Sequence, residues 1–248
     1  MTAPAAEPLR HSLYSESNRR RLPVWTWVPP GDGPYPLLVL LHGVYDADGS
    51  GWWRLGRAHE AAAAAARPCA VVMPSDTGAE FGSGWCDWAD GTTHAETHLL
   101  AEVLPWAQAE LPVTDELWLT GLSMGGYAAV TLALRHPGLF SSVASTSGFI
   151  DPARLFSFVP EAASRMWGDD RSSHDPRELL QQAGALPRLA LDCGTEDALV
   201  EDNRAAAALL RGHGVAHTYT EHAGGHDWDY WRARVPEHLA FHAATGGA

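Results

Sequence analysis

Residues 117–127 read Leu-Trp-Leu-Thr-Gly-Leu-Ser-Met-Gly-Gly-Tyr, an apolar run that meets a Gly-x-Ser-x-Gly turn and passes straight into a helix-forming stretch. Few architectures accommodate this, because a serine at a sharp strand-to-helix turn sits in a strained conformation that points its hydroxyl outward. Gly121 and Gly125 leave room for the turn, and Gly126 lets the following helix pack closely on a sheet. Ser123 is therefore the candidate nucleophile. A serine hydroxyl is weak at neutral pH, so the motif has chemical meaning only if a base and an orienting acid lie elsewhere in the chain.

The surrounding pattern supplies the sheet. His11–Ser17 and Leu22–Val28 flank a polar turn and predict an N-terminal antiparallel hairpin. Tyr35–Leu41 is a continuous apolar run, as expected of a strand buried on both faces of a largely parallel sheet. Arg54–Arg67, with its alanine run, predicts a helix that Pro68 ends. Ala70–Met73 reads as a strand, and Ser75–Asp90 as a loop carrying Phe81, Trp85 and Trp88. Thr92–Glu110 has helical spacing with a kink expected at Pro105. Tyr127–Arg135 is the helix after the elbow and Ser142–Ser147 a strand. Residues 148–186 break the alternation and read as an insertion, or lid, over the sheet. Leu189–Gly194 and Ala216–Thr220 are strands, Asn203–Arg211 and Trp228–Ala243 helices. Alternating strands and helices predict an α/β fold, with one domain over residues 1–248.

An acid and a base follow Ser123 in the order such a site requires. After the strand 189–194 comes Thr195-Glu196-Asp197, and after the strand 216–220 comes Glu221-His222-Ala223-Gly224-Gly225-His226. Asp197 lies past its strand end, where it can orient an imidazole; Glu196 and Asp202 compete with it, while Asp192 falls inside the strand and suits a structural role. His226 follows two glycines and precedes a helix start; His222 is its rival. The spacing of His222 and His226 resembles a ligand pair on a helix, but Gly224-Gly225 between them argues against a helix, and neither a metal nor a cofactor is expected. A tetrahedral intermediate needs preorganised N–H donors. The backbone N–H of Met124 is one candidate, and that of Val44, after His42-Gly43, the other, with Tyr45 as alternative. The His42 side chain is expected to hold the loop. Eleven tryptophans, several beside strand ends, suggest an aromatic pocket wall. Tyr45, Trp85, Tyr127 and Trp228 are the expected pocket residues.

A formal net charge of −13 argues against a nucleic-acid or anionic-membrane surface. Three cysteines without a Cys-x-x-Cys pair suggest free thiols in a reducing compartment. With no apolar signal segment in Met1–Arg10 and no membrane-length apolar run, a cytoplasmic protein acting on a small molecule is expected.

Leu40-Leu41-His42-Gly43, Gly121-Leu122-Ser123-Met124-Gly125-Gly126, Cys193-Gly194-Thr195-Glu196-Asp197 and Gly225-His226-Asp227-Trp228 together resemble the esterase D-like esterase family of α/β-hydrolases. Its members include S-formylglutathione hydrolases, tributyrin and feruloyl esterases, and mycolyltransferases. The resemblance implies a mostly parallel central sheet with helices on both faces and a catalytic triad of Ser123, Asp197 and His226. It also implies an oxyanion hole from the N–H groups of Val44 and Met124, and hydrolysis of carboxylic esters through an acyl-serine. S-formylglutathione hydrolases usually carry His after the elbow's Gly-Gly and a Cys-Asn-Pro-like segment after the next strand, where this chain has Tyr127 and Ser147-Gly148-Phe149. A general serine carboxylesterase is therefore the expected subclass. Acyl transfer to an alcohol and a catalytically silent binding protein are the alternatives.

Overall fold

The apolar runs become strands whose alternate residues enter two separate cores. The computed structural model describes residues 5–46, 48–77, 82–154, 162–170 and 172–244. Residues 1–4 of the N-terminal stretch, Ala47 of the loop after the third strand, Phe81, and residues 155–161 and 171 of the expected insertion lie outside them. In chain order the elements are β1 (Leu9–Ser15), β2 (Arg20–Trp27), β3 (Tyr35–Leu41), α1 (Gly51–Arg54), α2 (Ala58–Ala64) and β4 (Ala70–Pro74). Then come α3 (Ala95–Thr97), a π-helical turn (His98–Val103), α4 (Leu104–Glu110), β5 (Val113–Leu122), α5 (Met124–Arg135) and β6 (Ser142–Thr146). The chain continues with α6 (Ala162–Trp167), α7 (Pro176–Gln182), β7 (Arg188–Gly194), α8 (Val200–Gly212), β8 (His217–His222) and α9 (Trp228–Ala243).

The described residues form one eight-stranded sheet in the order β1-β2-β4-β3-β5-β6-β7-β8. β1 and β2 make the expected antiparallel hairpin, which joins β4 antiparallel; from β4 to β8 every pairing is parallel. Side chains on a strand alternate between faces. Accordingly Leu37, Val39 and Leu41 of β3 pack with α5 on one side, and Leu38 and Leu40 pack with α2 and α9 on the other. Helices thus cover both faces. α5 has almost no solvent-facing side, since every residue from Met124 to Leu134 is buried. Such a helix is apolar all round rather than amphipathic.

Two helices depart from the sequence pattern. The stretch expected as one helix over Arg54–Arg67 holds only the last residue of α1 and, after a break, α2 (Ala58–Ala64). Gly56 lies against Trp228, where a Cβ would come within 2.8 Å of the indole, and Arg57 adopts φ 51. The chain leaves the helix there and makes room for that ring. In the stretch Thr92–Glu110 the deviation begins before Pro105. That residue has no N–H to give the carbonyl of Ala101, and the preceding turn widens to π geometry around buried His98 and half-buried Glu102, 2.6 Å apart.

The 148–186 segment carries α6 and α7. α7 starts at Pro176, with the Asp175 side chain accepting from the Arg177 N–H, and it packs on α5. Tyr127 donates to the carbonyl of His174 at 2.5 Å, fastening this segment to the helix behind the elbow. Among the described residues no helix is long and apolar enough to cross a membrane.

Candidate active site

β5 lies between β3 and β6 at the middle of the sheet, so its carboxyl end is flanked by the loops after both neighbours. Ser123 sits there at φ 53 and ψ −119, the strained turn that the Gly-x-Ser-x-Gly sequence predicts. The glycines are required by close approach. A Cβ on Gly125 would lie 2.2 Å from the Leu41 carbonyl oxygen, and one on Gly126 would lie 2.8 Å from Ser145 Oγ on β6.

The loops after β7 and β8 bring the candidate acid and the candidate base to this point. Asp197 follows β7 and His226 follows β8. His226 Nδ1 lies 2.9 and 3.1 Å from the two Asp197 carboxylate oxygens, and its Nε2 lies 3.0 Å from Ser123 Oγ. With Asp197 ionised, Nδ1 carries the proton and donates to it, which leaves Nε2 to accept from the serine. The Asp197 side chain is fully buried and His226 about one-third exposed. Burial opposes ionisation of Asp197. Hydrogen bonds from His226, the Leu199 N–H and Ser147, with the electrostatic effect of the adjacent imidazole, outweigh it and hold the carboxyl below its ordinary value.

The two loops are tied together. Thr195 N–H donates to the His222 carbonyl at 2.8 Å and Glu196 N–H to the Gly224 carbonyl at 3.0 Å, while the Glu196 carboxylate accepts from the Gly224 N–H. Glu196, a rival for the acid, therefore braces the base loop from the surface. Asp202, another rival, pairs with Arg154 at 2.9 Å, and His222 lies 3.5 Å from Glu237. Asp192 takes the structural place its strand position suggests. It accepts from Thr146 at 2.6 Å and Tyr230 at 3.0 Å, and faces His238 at 2.5 Å.

Gly43 brings the third loop to the elbow: a Cβ there would lie 3.1 Å from the Ser123 Cβ. His42 Nδ1 contacts the Gly43 carbonyl at 2.7 Å, so its ring shapes the loop as expected. Val44 and Met124 both line the cavity beside Ser123. Met124 is the first residue of α5, where an N–H has no partner within its own helix.

A cavity of about 650 Å³ opens above Ser123 and His226. Its wall is mostly apolar, from Leu122, Phe149, Leu199, Trp228 and Trp231, with Tyr45, Asp46 and Arg54 as polar members. Of the expected pocket residues, Tyr45 and Trp228 line it and Trp85 and Tyr127 do not. Trp85 is fully buried and donates its indole N–H to the His42 carbonyl at 3.1 Å, supporting the 42–44 loop from beneath. Tyr127 is buried against Phe149, rings 4.8 Å apart and nearly parallel, and Phe149 presents the surface instead. Both residues flank strand ends in sequence, but an indole or phenol with a buried polar partner packs inward. From the 148–186 segment, Phe149 is the described residue on the wall. Trp231 stands edge-on to His226, centroids 4.9 Å apart, and donates to Ser147 Oγ at 3.0 Å. Ser147, Asp46 and Arg54 carry no sequence motif; only their fold neighbours reveal them.

The chain matches the family model Esterase, described as "Putative esterase", over residues 15–242. It is 27% identical over 154 residues to an acetyl esterase of Caldicellulosiruptor saccharolyticus, a match covering 54% of this chain and spanning 58% of that relative's length. It is 28% identical over 225 residues to the diacylglycerol acyltransferase/mycolyltransferase Ag85A of Mycobacterium leprae, covering 72% of this chain and 67% of that one. The fold matches the fluorophosphonate-binding serine hydrolase F of Staphylococcus aureus with a TM-score of 0.87 at 21% identity, covering 98% and 100% of the two chains.

Proposed function

The chain belongs to the Esterase family, and from that premise we propose that it is a serine carboxylesterase with Ser123, His226 and Asp197 as its catalytic triad. The observation that carries this reading is the continuous line from Ser123 Oγ to His226 at 3.0 Å and on to Asp197 at 2.9 Å, at the floor of an apolar cavity. His226 Nε2 removes the hydroxyl proton as Ser123 Oγ attacks the ester carbonyl. Asp197 holds the ring's tautomer and stabilises the imidazolium. The backbone N–H groups of Val44 and Met124 receive the developing oxyanion. His226 then gives its proton to the departing alkoxide, leaving an acyl-serine. Water, deprotonated by the same nitrogen, releases the acid and restores Ser123.

An alcohol in place of water makes the same site an acyltransferase, and the likeness to Ag85A favours keeping that outcome in the test. A cytoplasmic site of action fits three free, buried cysteines. The deciding experiment is hydrolysis of 4-nitrophenyl acetate by wild type and Ser123→Ala. The variant is expected to lose about 10⁴-fold or more in kcat with an unchanged melting temperature. Turnover in the variant equal to wild type overturns the assignment. Absence of fluorophosphonate labelling of wild type would instead identify a silent binding protein, and the product ratio with added alcohol separates hydrolysis from transfer.

A further inference from the structure

We propose, on the footing of the esterase reading, that Arg54 makes this cavity selective for esters that carry a carboxylate remote from the reacting carbonyl. Arg54 ends α1 and lines the cavity. Its guanidinium is held over two indole faces, 5.0 Å from the Trp53 ring centroid and 5.8 Å from that of Trp25. Stacking of this kind fixes the plane of the group while leaving its N–H donors free. Among the described residues no carboxylate pairs with it. Several other arginines do have carboxylate partners: Arg135 with Glu96, Arg165 with Asp90, Arg204 with Glu221.

Asp46, the one acid among the described residues of the same wall, does not neutralise Arg54. Its carboxylate accepts the Gly51 N–H at 3.0 and 3.3 Å, at the opposite end of α1. Burial, together with Asp48 and Asp76, raises its carboxyl above the ordinary value against the lowering effect of His42 and that N–H. Its carboxylate is committed to the start of the helix, and among the described residues of the wall Arg54 is the cation without a carboxylate partner. The remaining wall, with Leu55, Trp228 and the strongly exposed Tyr45, suits the apolar or aromatic spacer between ester and carboxylate. A planar guanidinium beside apolar surface receives a carboxylate in two parallel hydrogen bonds, which an amine or neutral ester cannot form.

The test compares esters matched in size: mono-4-nitrophenyl adipate with 4-nitrophenyl hexanoate for a carboxylate on the acyl side, and 3-butyryloxybenzoic acid with phenyl butyrate for one on the alcohol side. The 4-nitrophenyl ester of 6-(trimethylammonio)hexanoic acid is the cationic control. The readout is the ratio of kcat/KM, charged to neutral, in wild type, Arg54→Gln and Arg54→Lys. For at least one pair the ratio is expected to be on the order of fivefold higher in wild type than in Arg54→Gln, with Arg54→Lys between them. The cationic ratio should move the other way. The wild-type carboxylate preference should also shrink between 20 mM and 500 mM salt, a measurement that stands if a variant fails to fold. Equal ratios in wild type and Arg54→Gln for both pairs, or a wild-type preference for the cationic ester, overturn the proposal while leaving the esterase reading intact. Absence of Ser123-dependent turnover of every neutral ester overturns both.

Discussion

At the scale of single residues, two aspartates five positions apart do different work because one lies inside a strand and the other beyond its end. Asp192, on β7, is buried among Thr146, Tyr230 and His238, all on elements of the sheet and α9. Asp197, in the loop, keeps one carboxylate edge on His226 and accepts the Leu199 N–H at 2.8 Å. Replacing Asp197 by Asn keeps the shape but favours the wrong imidazole tautomer. Asp197→Asn is expected to lower kcat by about 10³- to 10⁴-fold with little change in melting temperature. Asp192→Asn removes the charge facing buried His238 and should instead cost about 2–4 kcal/mol of stability, with kcat of the surviving folded enzyme near wild type. Steady-state kinetics and urea titration of the pair check this. If Asp192→Asn abolished kcat at full stability, the division of roles would be wrong.

At the scale of elements, the elbow is a three-way backbone contact among β3, β5 and α5. Gly125 faces a carbonyl of β3 at a distance no side chain tolerates, whereas a Cβ on Gly126 would meet the rotatable Ser145 hydroxyl at 2.8 Å and backbone atoms of Gly148 and Thr146 only at 3.0 and 3.1 Å. Gly125→Ala is therefore expected to leave little folded protein. Gly126→Ala should fold with a loss of about 1–3 kcal/mol, measured as a lower melting temperature, because the hydroxyl can turn aside but the helix must still shift. Equal behaviour of the two variants would contradict the packing argument. This contact also explains what the sequence can disclose. Strand, turn and helix at residues 117–135 are local, and Gly-x-Ser-x-Gly states their geometry directly. The order of Asp197 and His226 after later strands is equally legible, since parallel topology brings the carboxyl ends of strands together. The pocket wall depends instead on which way each ring turns. Trp85 and Trp228 look alike in sequence, yet one packs under the His42 carbonyl and the other against Gly51 and Gly56. The break at Gly56 is invisible in an alanine-rich stretch for the same reason, being set by a ring that is remote in sequence.

At the scale of the whole molecule, the helix that follows His226, the proposed base, also closes one face of the sheet and buries two histidines of its own, His238 and His242. His242 near its end is completely buried, stacked on Trp118 at 5.4 Å, with Nε2 at 2.8 Å from Thr120 Oγ1 and Nδ1 at 2.7 Å from Ser142 Oγ. Burial first, then the electrostatic effect of nearby His238 and Arg188, holds it well below the ordinary value of 6.5. His174 is held down to about 4 by burial and Arg135. A histidine lowered in the folded state takes up its proton only in the unfolded chain once pH falls below 6.5, so its stabilising contribution is complete above 6.5 and declines below it. Glu102, held down to about 2 against the effect of burial by hydrogen bonds from Ser15, His98 and Ser17, acts in the same direction at lower pH. It stays ionised in the fold while the unfolded carboxyl protonates below its ordinary value of 4.5. Unfolding free energy from urea titrations should therefore be flat between about pH 7 and 8, decline above that as the buried thiols ionise only in the unfolded chain, and fall between pH 6.5 and 5 by up to about 1.4 kcal/mol per pH unit for each such histidine. It should fall more steeply below 4.5. His242→Gln, which cannot take up the proton in either state, should reduce the slope between pH 6.5 and 5 by up to one proton even if its stability at pH 7 is lower. An unchanged slope in that variant, or stability that rises on acidification, would show that the buried histidine does not couple the fold to pH.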